Sequence, residues 1–320
     1  MSPGAEQRVR QRVVVTTDQA DRRVDQAAAS IWSDYSRSRL ADWIRGGQLR
    51  VNDQVVKPNY RLSTGEHLEL NAEFSRHDSN PEPQAMAIDV LHADDALLVV
   101  NKPPGLVVHP GSGNLDGTLI NGLLHYDPRL ETLPRAGLVH RLDKDTSGCL
   151  IIARTASAHN HLVAALKRRA IHRHYQALVW GHVIAGSHVD APLGRHPVDR
   201  RKQVVRSDGR SAITHYRLNR HLAGATLLDL KLETGRTHQI RVHMQHIGFP
   251  LVGDRSYGRR GCPAGLDAGQ REAWCAFPRQ ALHAWRIELF HPVSGEWLAV
   301  TAPMPEGMRE LIEVLEPSAS

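Results

Sequence analysis

Arg135-Ala-Gly-Leu-Val-His140-Arg141-Leu142-Asp143-Lys144-Asp145-Thr146-Ser147-Gly148 is the densest polar stretch in the 320-residue chain. Residues 137–140 read as one strand and residues 149–153 as the next, so the charged residues between them fall on a loop. Loops carried by a rigid sheet are where catalytic groups concentrate. Asp143 has Arg141 and Lys144 as near neighbours in the chain, and cations close to a carboxylate favour its ionised form, the form that acts as nucleophile or base. The same residues suit a plainer role, with Asp145, Thr146 and Ser147 shaping a turn and Asp143 in a structural ion pair. The local chemistry leaves both readings open.

Outward from this loop, strand-like runs follow one another at residues 88–91, 97–101, 175–180, 212–218, 226–232, 286–290 and 297–301. Helical spacing covers residues 118–125, 157–169, 237–248 and 305–315. Strands in groups, without strict alternation with helices, predict an α+β domain on a large mixed sheet over residues 87–316. Upstream, Val24, Ala27, Ala28 and Ile31 share one helix face, and a second short helix starts at Ser36 with Leu40, Trp43 and Ile44 repeating. Strand-like residues 49–51 and 55–56 bracket a turn at Asn52-Asp53, and residues 68–70 alternate. Residues 21–72 therefore predict a small α+β unit, whose thin core suits a binding module. Residues 73–86, polar with Pro81 and Pro83, read as a linker, residues 1–20 as a disordered N-terminus and residues 317–320 as a tail.

Composition narrows the class. Hydrophobic residues at 41% and charged residues at 23% are globular values. Apolar runs such as residues 96–100 are far too short for a membrane span, and the first residues lack the apolar core of a secretory signal. Three cysteines cannot build a disulfide framework, so the expected setting is the cytoplasm. The net charge is +6, and its distribution is uneven. Between Lys167 and Arg210 there are ten basic residues against three acidic ones, a surplus of +7 that leaves −1 for the rest. Clustered cations beside Tyr175 fit phosphate neutralisation with an aromatic that stacks on an exposed base, which favours RNA over a solvated charged face.

A second constellation, Leu232-Glu233-Thr234-Gly235-Arg236-Thr237-His238-Gln239-Ile240-Arg241-Val242-His243, places Thr237 as a helix N-cap with His238 and Arg241 on one face. Arg236 and Arg241 are then placed to hold an anion or the Asp143 carboxylate, although any one of 20 histidines is more often a core or surface residue. Cys262, Cys275 and His283 lack a close Cys-x-x-Cys pair, so no metal is expected. Gly111-Ser112-Gly113 resembles a phosphate-cradling loop only loosely, and no nucleotide or other cofactor is expected. A Gly-x-Ser-x-Gly elbow is absent.

Gly137-Leu-Val-His-Arg-Leu-Asp-Lys-Asp-Thr-Ser-Gly148 resembles the signature of the RluA-type pseudouridine synthases. Asn101-Lys-Pro-Pro-Gly-Leu-Val-Val-His-Pro110, Arg173-His-Tyr175-Gln-Ala and residues 233–243 resemble the family's other motifs. Residues 21–72, with Tyr35-Ser-Arg-Ser-Arg39 in the second helix, are similar to the S-four RNA-binding domain. The resemblance implies the pseudouridine synthase fold, a large mixed and mostly antiparallel sheet with flanking helices and a central cleft. It implies Asp143 as the catalytic aspartate, Tyr175 as the base-stacking tyrosine and Arg241 as the partner of the aspartate. Arg141 would enter the space left by the flipped base.

Further RNA or substrate contacts are expected from Leu142, Arg236, His238, Lys167, Arg168, Arg169, Arg201, Lys202 and Arg39. The implied reaction attacks or deprotonates the target ribose, breaks the bond to uracil N1, turns the base and rejoins C5 to the sugar, without a cofactor. The implied partner is 23S rRNA or a large-subunit precursor, with helix 69 as the target, and the chain is expected to be a monomer with no membrane association. Two alternatives are the same chemistry at another rRNA or tRNA site and a noncatalytic RNA-binding protein of ribosome assembly. A glycosidase would need Asp143 and Asp145 facing each other across a substrate.

Overall fold

A computed structural model describes residues 6–32, 35, 37–75, 81–111, 114 and 116–317. Residues 1–5 and 318–320 of the expected termini, 76–80 of the expected linker, Ser36, and Ser112 with Gly113 lie outside the described residues. The chain forms two compact units, residues 1–82 and 83–320.

The first unit is a three-stranded antiparallel sheet of β1 (Glu6–Val14), β2 (Leu49–Val51) and β3 (His67–Ser75) in the order β1-β3-β2, with α1 (Val24–Ile31) and α2 (Arg37–Arg45). Val24, Ala27 and Ala28 of α1, Leu40, Trp43 and Ile44 of α2, and Leu68, Leu70 and Ala72 of β3 are buried together. Asp25 is buried as well and receives Arg23 and Arg37 at 2.9 and 2.8 Å. The disordered N-terminus expected for residues 1–20 is corrected here, because residues 6–14 pair along their whole length with β3. Arg8, Arg10 and Arg12 make the segment look solvated, but backbone pairing on a sheet edge does not need an apolar sequence. The linker expected from residue 73 is corrected likewise, since β3 continues to Ser75. Tyr35 precedes α2, and its ring meets Trp43 edge-on at 4.9 Å.

The second unit has the predicted α+β character. Its strands are β4 (Val90–Ala93), β5 (Leu97–Lys102), β6 (Ser147–Ala153), β7 (His172–Trp180), β8 (Ser187–Asp190), β9 (Leu193–Arg195), β10 (Gln203–Val205), β11 (Ile213–Leu222), β12 (Ala225–Leu232), β13 (Leu282–Phe290) and β14 (Trp297–Thr301). Among the described residues, nine of them form one sheet in the order β4-β5-β6-β13-β7-β12-β11-β8, with β14 on β13, while β9 and β10 pair separately. Only β6 and β13 are parallel; the other pairs of the large sheet are antiparallel.

Side-chain alternation gives the sheet two apolar faces. Leu98, Val100, Leu150, Ile152 and Tyr175 pack with α3 (Leu119–Tyr126) and α5 (Gln239–His246), whereas Leu97, Val99, Cys149 and Ile151 pack on Ala158, Leu162 and Ala165 of α4 (Ala156–Lys167). Two further helices, α6 (Ala268–Ala276) and α7 (Glu306–Leu315), cover Leu178, Trp180 and Leu227.

Three local expectations change. Residues 137–140 are not a strand, because Arg135, Ala136 and Gly137 take successive left-handed conformations with φ of 54, 50 and 76°. Leu138 is left with one isolated bridge to Ile152. The helix expected over 237–248 begins at Gln239, and its N-cap is His238 at φ 57° rather than Thr237. The sequence reading also missed β8, β9, β10 and α6, although Asp267 and Gln270 form a capping box that marks the start of α6.

Gly148 explains the close approach of β6 to β13. Its φ is 109°, and a Cβ there would lie 2.2 Å from the Ala284 carbonyl oxygen. Gly148→Ala is expected to destabilise the chain by about 2–4 kcal/mol in urea unfolding, from backbone strain together with the clash; a cost near zero would contradict this account of the β6–β13 pair.

Candidate active site

Asp143 follows the left-handed turn and the buried Leu138, in a loop closed by Thr146 N–H donating to the Asp143 carbonyl at 3.1 Å. The same loop is tied to the β5 end of the sheet. Lys102, completely buried, donates to the carbonyls of Pro103, Leu106 and Lys144 at 2.7, 3.0 and 2.8 Å. Burial pulls the Lys102 pKa down to about 7 against the opposing charges of Asp145 and Asp143, while three carbonyl acceptors call for all three N–H bonds of the ammonium. Behind the loop, His140 Nε2 accepts the Ile151 N–H at 3.1 Å. Burial, with Arg173 adding to it, pushes this imidazole down to about 3. His140 is thus a neutral structural acceptor.

Arg241, in the first turn of α5, meets Asp143 from the other side, with Nη1 donating to Oδ2 at 3.1 Å. Two further donors go to a second carboxylate, Asp254, from Nε at 2.7 Å and Nη2 at 2.9 Å. Burial works against the guanidinium charge, but Asp254 and Asp143 outweigh it and raise the Arg241 pKa. Asp254 is fully enclosed and also accepts the N–H groups of Ser256 and Tyr257 at 2.8 and 3.0 Å. Burial alone would raise its pKa; the Arg241 hydrogen bonds and these N–H groups reverse that and hold it low.

Tyr257 completes the support. Its ring lies 4.9 Å from the Arg241 guanidinium carbon, and its hydroxyl is 2.8 Å from both Gln203 N and His238 Nδ1. Gln203 N–H donates to that oxygen, and the hydroxyl and His238 Nδ1 share a second hydrogen bond whose direction follows the imidazole tautomer. Nε2 stands 3.9 Å from Asp143 Oδ2. Burial lowers the His238 pKa, with Asp143 opposing and Arg241 assisting, so the ring is neutral at physiological pH.

Of the residues expected at the site, the structure brings together Asp143, Arg241 and His238. Tyr175 is buried in the adjoining core of β7, where burial raises its hydroxyl pKa and the Asp143 charge adds to the shift. Leu142 is buried and Arg141 is exposed in the same loop. Arg236 donates to the Ser211 carbonyl at 3.0 Å. Its pKa is lowered by burial and then by Arg210, Arg169 and Arg173, so part of the basic run converges on Arg236.

Arg169 pairs with Glu233. Lys167 and Arg168 are exposed at the end of α4, and Arg201 pairs with Asp199 at 3.3 Å beside Lys202. Arg39 belongs to the first unit and stacks its guanidinium 5.6 Å from the Trp43 ring centre. His283 uses its ring nitrogens on Ser147 Oγ at 2.9 Å and the Ala302 carbonyl at 3.2 Å. Asp254 and Tyr257 were missed as functional residues, because neither a helical nor a strand period marks them.

This arrangement is a carboxylate fixed by a buried guanidinium, at the edge of a basic surface, on a sheet flanked by helices. Residues 96–246 match the RNA pseudouridylate synthase family and residues 22–68 match the S4 domain. The chain belongs to the RNA pseudouridylate synthases, isomerases that convert uridine to pseudouridine. Over 97% of its length it is 48% identical to the ribosomal large subunit pseudouridine synthase D of Escherichia coli, covering 95% of that protein. It is 47% identical to the Xanthomonas campestris protein of the same name, over 94% of this chain and 91% of that one. Among solved structures, Human RNA Pseudouridylate Synthase Domain Containing 1 is similar at a TM-score of 0.56 and 26% identity, over 74% of this chain and 91% of that one.

Asp254 supplies a pH signature. Its folded-state pKa is depressed, so the stabilisation it gives is complete above the unfolded value of about 3.9 and fades as pH falls toward the folded value. Asp254→Asn is expected to lose about 3–5 kcal/mol at pH 7 by leaving Arg241 short of a charge partner. The gap to the parent protein should narrow below about pH 4 in denaturant titrations; a gap constant from pH 7 to pH 3 would contradict this role.

Proposed function

We propose that this protein isomerises uridine to pseudouridine in large-subunit ribosomal RNA, at the helix 69 loop, with Asp143 as the catalytic carboxylate. The observation that carries the reading is the 3.1 Å contact from Arg241 to Asp143, made by a guanidinium that Asp254 grips through two more of its donors. A carboxylate held this way presents its remaining lone pairs toward substrate in a fixed direction. Asp143 attacks or deprotonates the ribose of the target uridine, the N1 glycosidic bond breaks, the base turns, and C5 bonds to the sugar. The C5 proton is lost and N1 regains one, so the reaction is a net isomerisation and consumes no cofactor.

Tyr175 stacks on the extruded base, and Arg141 fills the space it leaves. Extruding a uridine costs a few kcal/mol, which contacts to the flanking RNA offset. Arg236, His238, Leu142 and the cations Lys167, Arg168, Arg169, Arg201 and Lys202 supply those contacts, with Lys167 and Arg168 exposed toward approaching phosphates. The first unit, with Arg39, binds RNA. The names of the relatives, which specify the large ribosomal subunit, support the choice of RNA. The protein acts in the cytoplasm as a monomer, and no helix among the described residues is long and apolar enough to cross a membrane.

Asp143→Asn should keep the fold and bind large-subunit rRNA while forming no pseudouridine, as read by chemical mapping of rRNA incubated with each protein. Normal product from the variant would remove Asp143 from the chemistry. Product confined to tRNA with the parent protein would remove the rRNA assignment.

A further inference from the structure

On the face of β7 opposite Tyr175, two histidines and a glutamate converge. His172 and His174 are two residues apart on one strand, so both side chains leave the same face of the sheet. Glu288 on the neighbouring β13 is the direct cross-strand partner of His172. His174 Nε2 stands 3.0 Å and His172 Nδ1 3.5 Å from the same atom, Glu288 Oε2, and the three atoms lie within 4.8 Å of one another.

We propose that His172, His174 and Glu288 form a binding site for a divalent transition metal, best matched to Zn²⁺, that clips β7 to β13. Two ring nitrogens converge on one carboxylate oxygen, and at 3.5 Å His172 Nδ1 stands near it without the close approach of a good hydrogen bond. Tetrahedral zinc with bonds of about 2.0–2.1 Å has neighbouring donor atoms roughly 3.4 Å apart. Both nitrogen-to-oxygen distances sit near that value, and with all three donor atoms within 4.8 Å of one another the two rings would close on the ion.

The surroundings favour ligation. The other carboxylate oxygen, Oε1, is held by Arg286 at 2.7 Å, which fixes the group and leaves Oε2 to the ion. Trp297 packs edge-on against His172 at 5.8 Å and Trp285 against His174 at 6.3 Å, limiting ring rotation. Lys231, opposite His174 on β12, and Arg286 are the cations that face the cluster and oppose an added charge. The side chains remain between 15 and 35% exposed, which leaves an entry path and a fourth position for water.

Nitrogen and oxygen donors without thiolate suit Zn²⁺ and its neighbours in the first transition row. The ion would tie together the two central strands behind Tyr175, and its ligands do not overlap the Asp143 site. Sequence spacing does not show this site, because the carboxylate lies 114 residues from His174.

The test is a Zn²⁺ titration of the full chain, stripped with a chelator, in competition with a chromophoric zinc indicator. One tight equivalent is expected in the parent protein. Binding should be at least tenfold weaker in His172→Gln, His174→Gln and Glu288→Gln, and unchanged in the control His188→Gln/His215→Gln, whose rings neighbour each other at 5.7 Å on other strands. Co²⁺ in place of zinc should give the visible absorption of a four- or five-coordinate ion without a thiolate charge-transfer band. Far-UV circular dichroism of each variant separates lost binding from lost fold. Equal affinity in the parent protein and folded His174→Gln, no tight equivalent in the parent protein, or a thiolate band would each overturn the proposal.

Discussion

The site depends on one buried cation with two carboxylates. A guanidinium enclosed as Arg241 is would be strongly penalised if left unpaired, and Asp254 and Asp143 together offset that cost. The two pairings are unequal. Asp254 takes two donors in a fork and is itself fully enclosed, whereas Asp143 takes one donor and remains open to solvent on one side. Asp254 is therefore the anchor, and Asp143 is the carboxylate left open to solvent. The Tyr257 ring against the guanidinium and its hydroxyl against His238 fix the remaining freedom of the cluster.

Three distant segments must meet to build this. The Asp143 loop is set by the left-handed turn at residues 135–137 and by the Lys102 ammonium, which gathers carbonyls from both sides of the site. Arg241 is set by the start of α5, where the buried Gln239 side chain accepts the Arg236 N–H at 3.0 Å and donates to the Ile213 carbonyl at 3.0 Å. The sheet brings β6 and the end of β12 to a common edge of the core, and Tyr175 on β7 lies between them in strand order. A nine-stranded mixed sheet is a stiff base for such a contact, because slipping any strand by one residue would exchange its two apolar faces.

Much of this was legible in the sequence because the information is local. Asp143 stands in a dense polar loop, α3, α4 and α7 carry plain helical spacing, and β14 matches the strand read over residues 297–301. The second constellation offered Arg236 or Arg241 to hold an anion or the Asp143 carboxylate, and the resemblance to a known family singled out Arg241. What escaped was non-local or conformational. β1 is held by backbone pairing to a strand some sixty residues on, which its arginine-rich sequence conceals. The apolar residues after Gly137 read as strand, yet three left-handed residues divert the chain before them. Asp254 reaches Arg241 from 13 residues away through a turn with no helical or strand period, and the His172, His174 and Glu288 cluster exists only once β7 and β13 are aligned.

The claim at the centre is that Asp254 acts on catalysis through Arg241 rather than by touching substrate. It is tested by single-turnover rates of pseudouridine formation for Asp254→Asn, Arg241→Lys and the double variant on a saturating rRNA fragment. If Asp254 works through Arg241, the double variant is no slower than the slower single variant, a strongly non-additive cycle. Rate losses that multiply across the two substitutions would mean that Asp254 and Arg241 act independently, and would contradict the account.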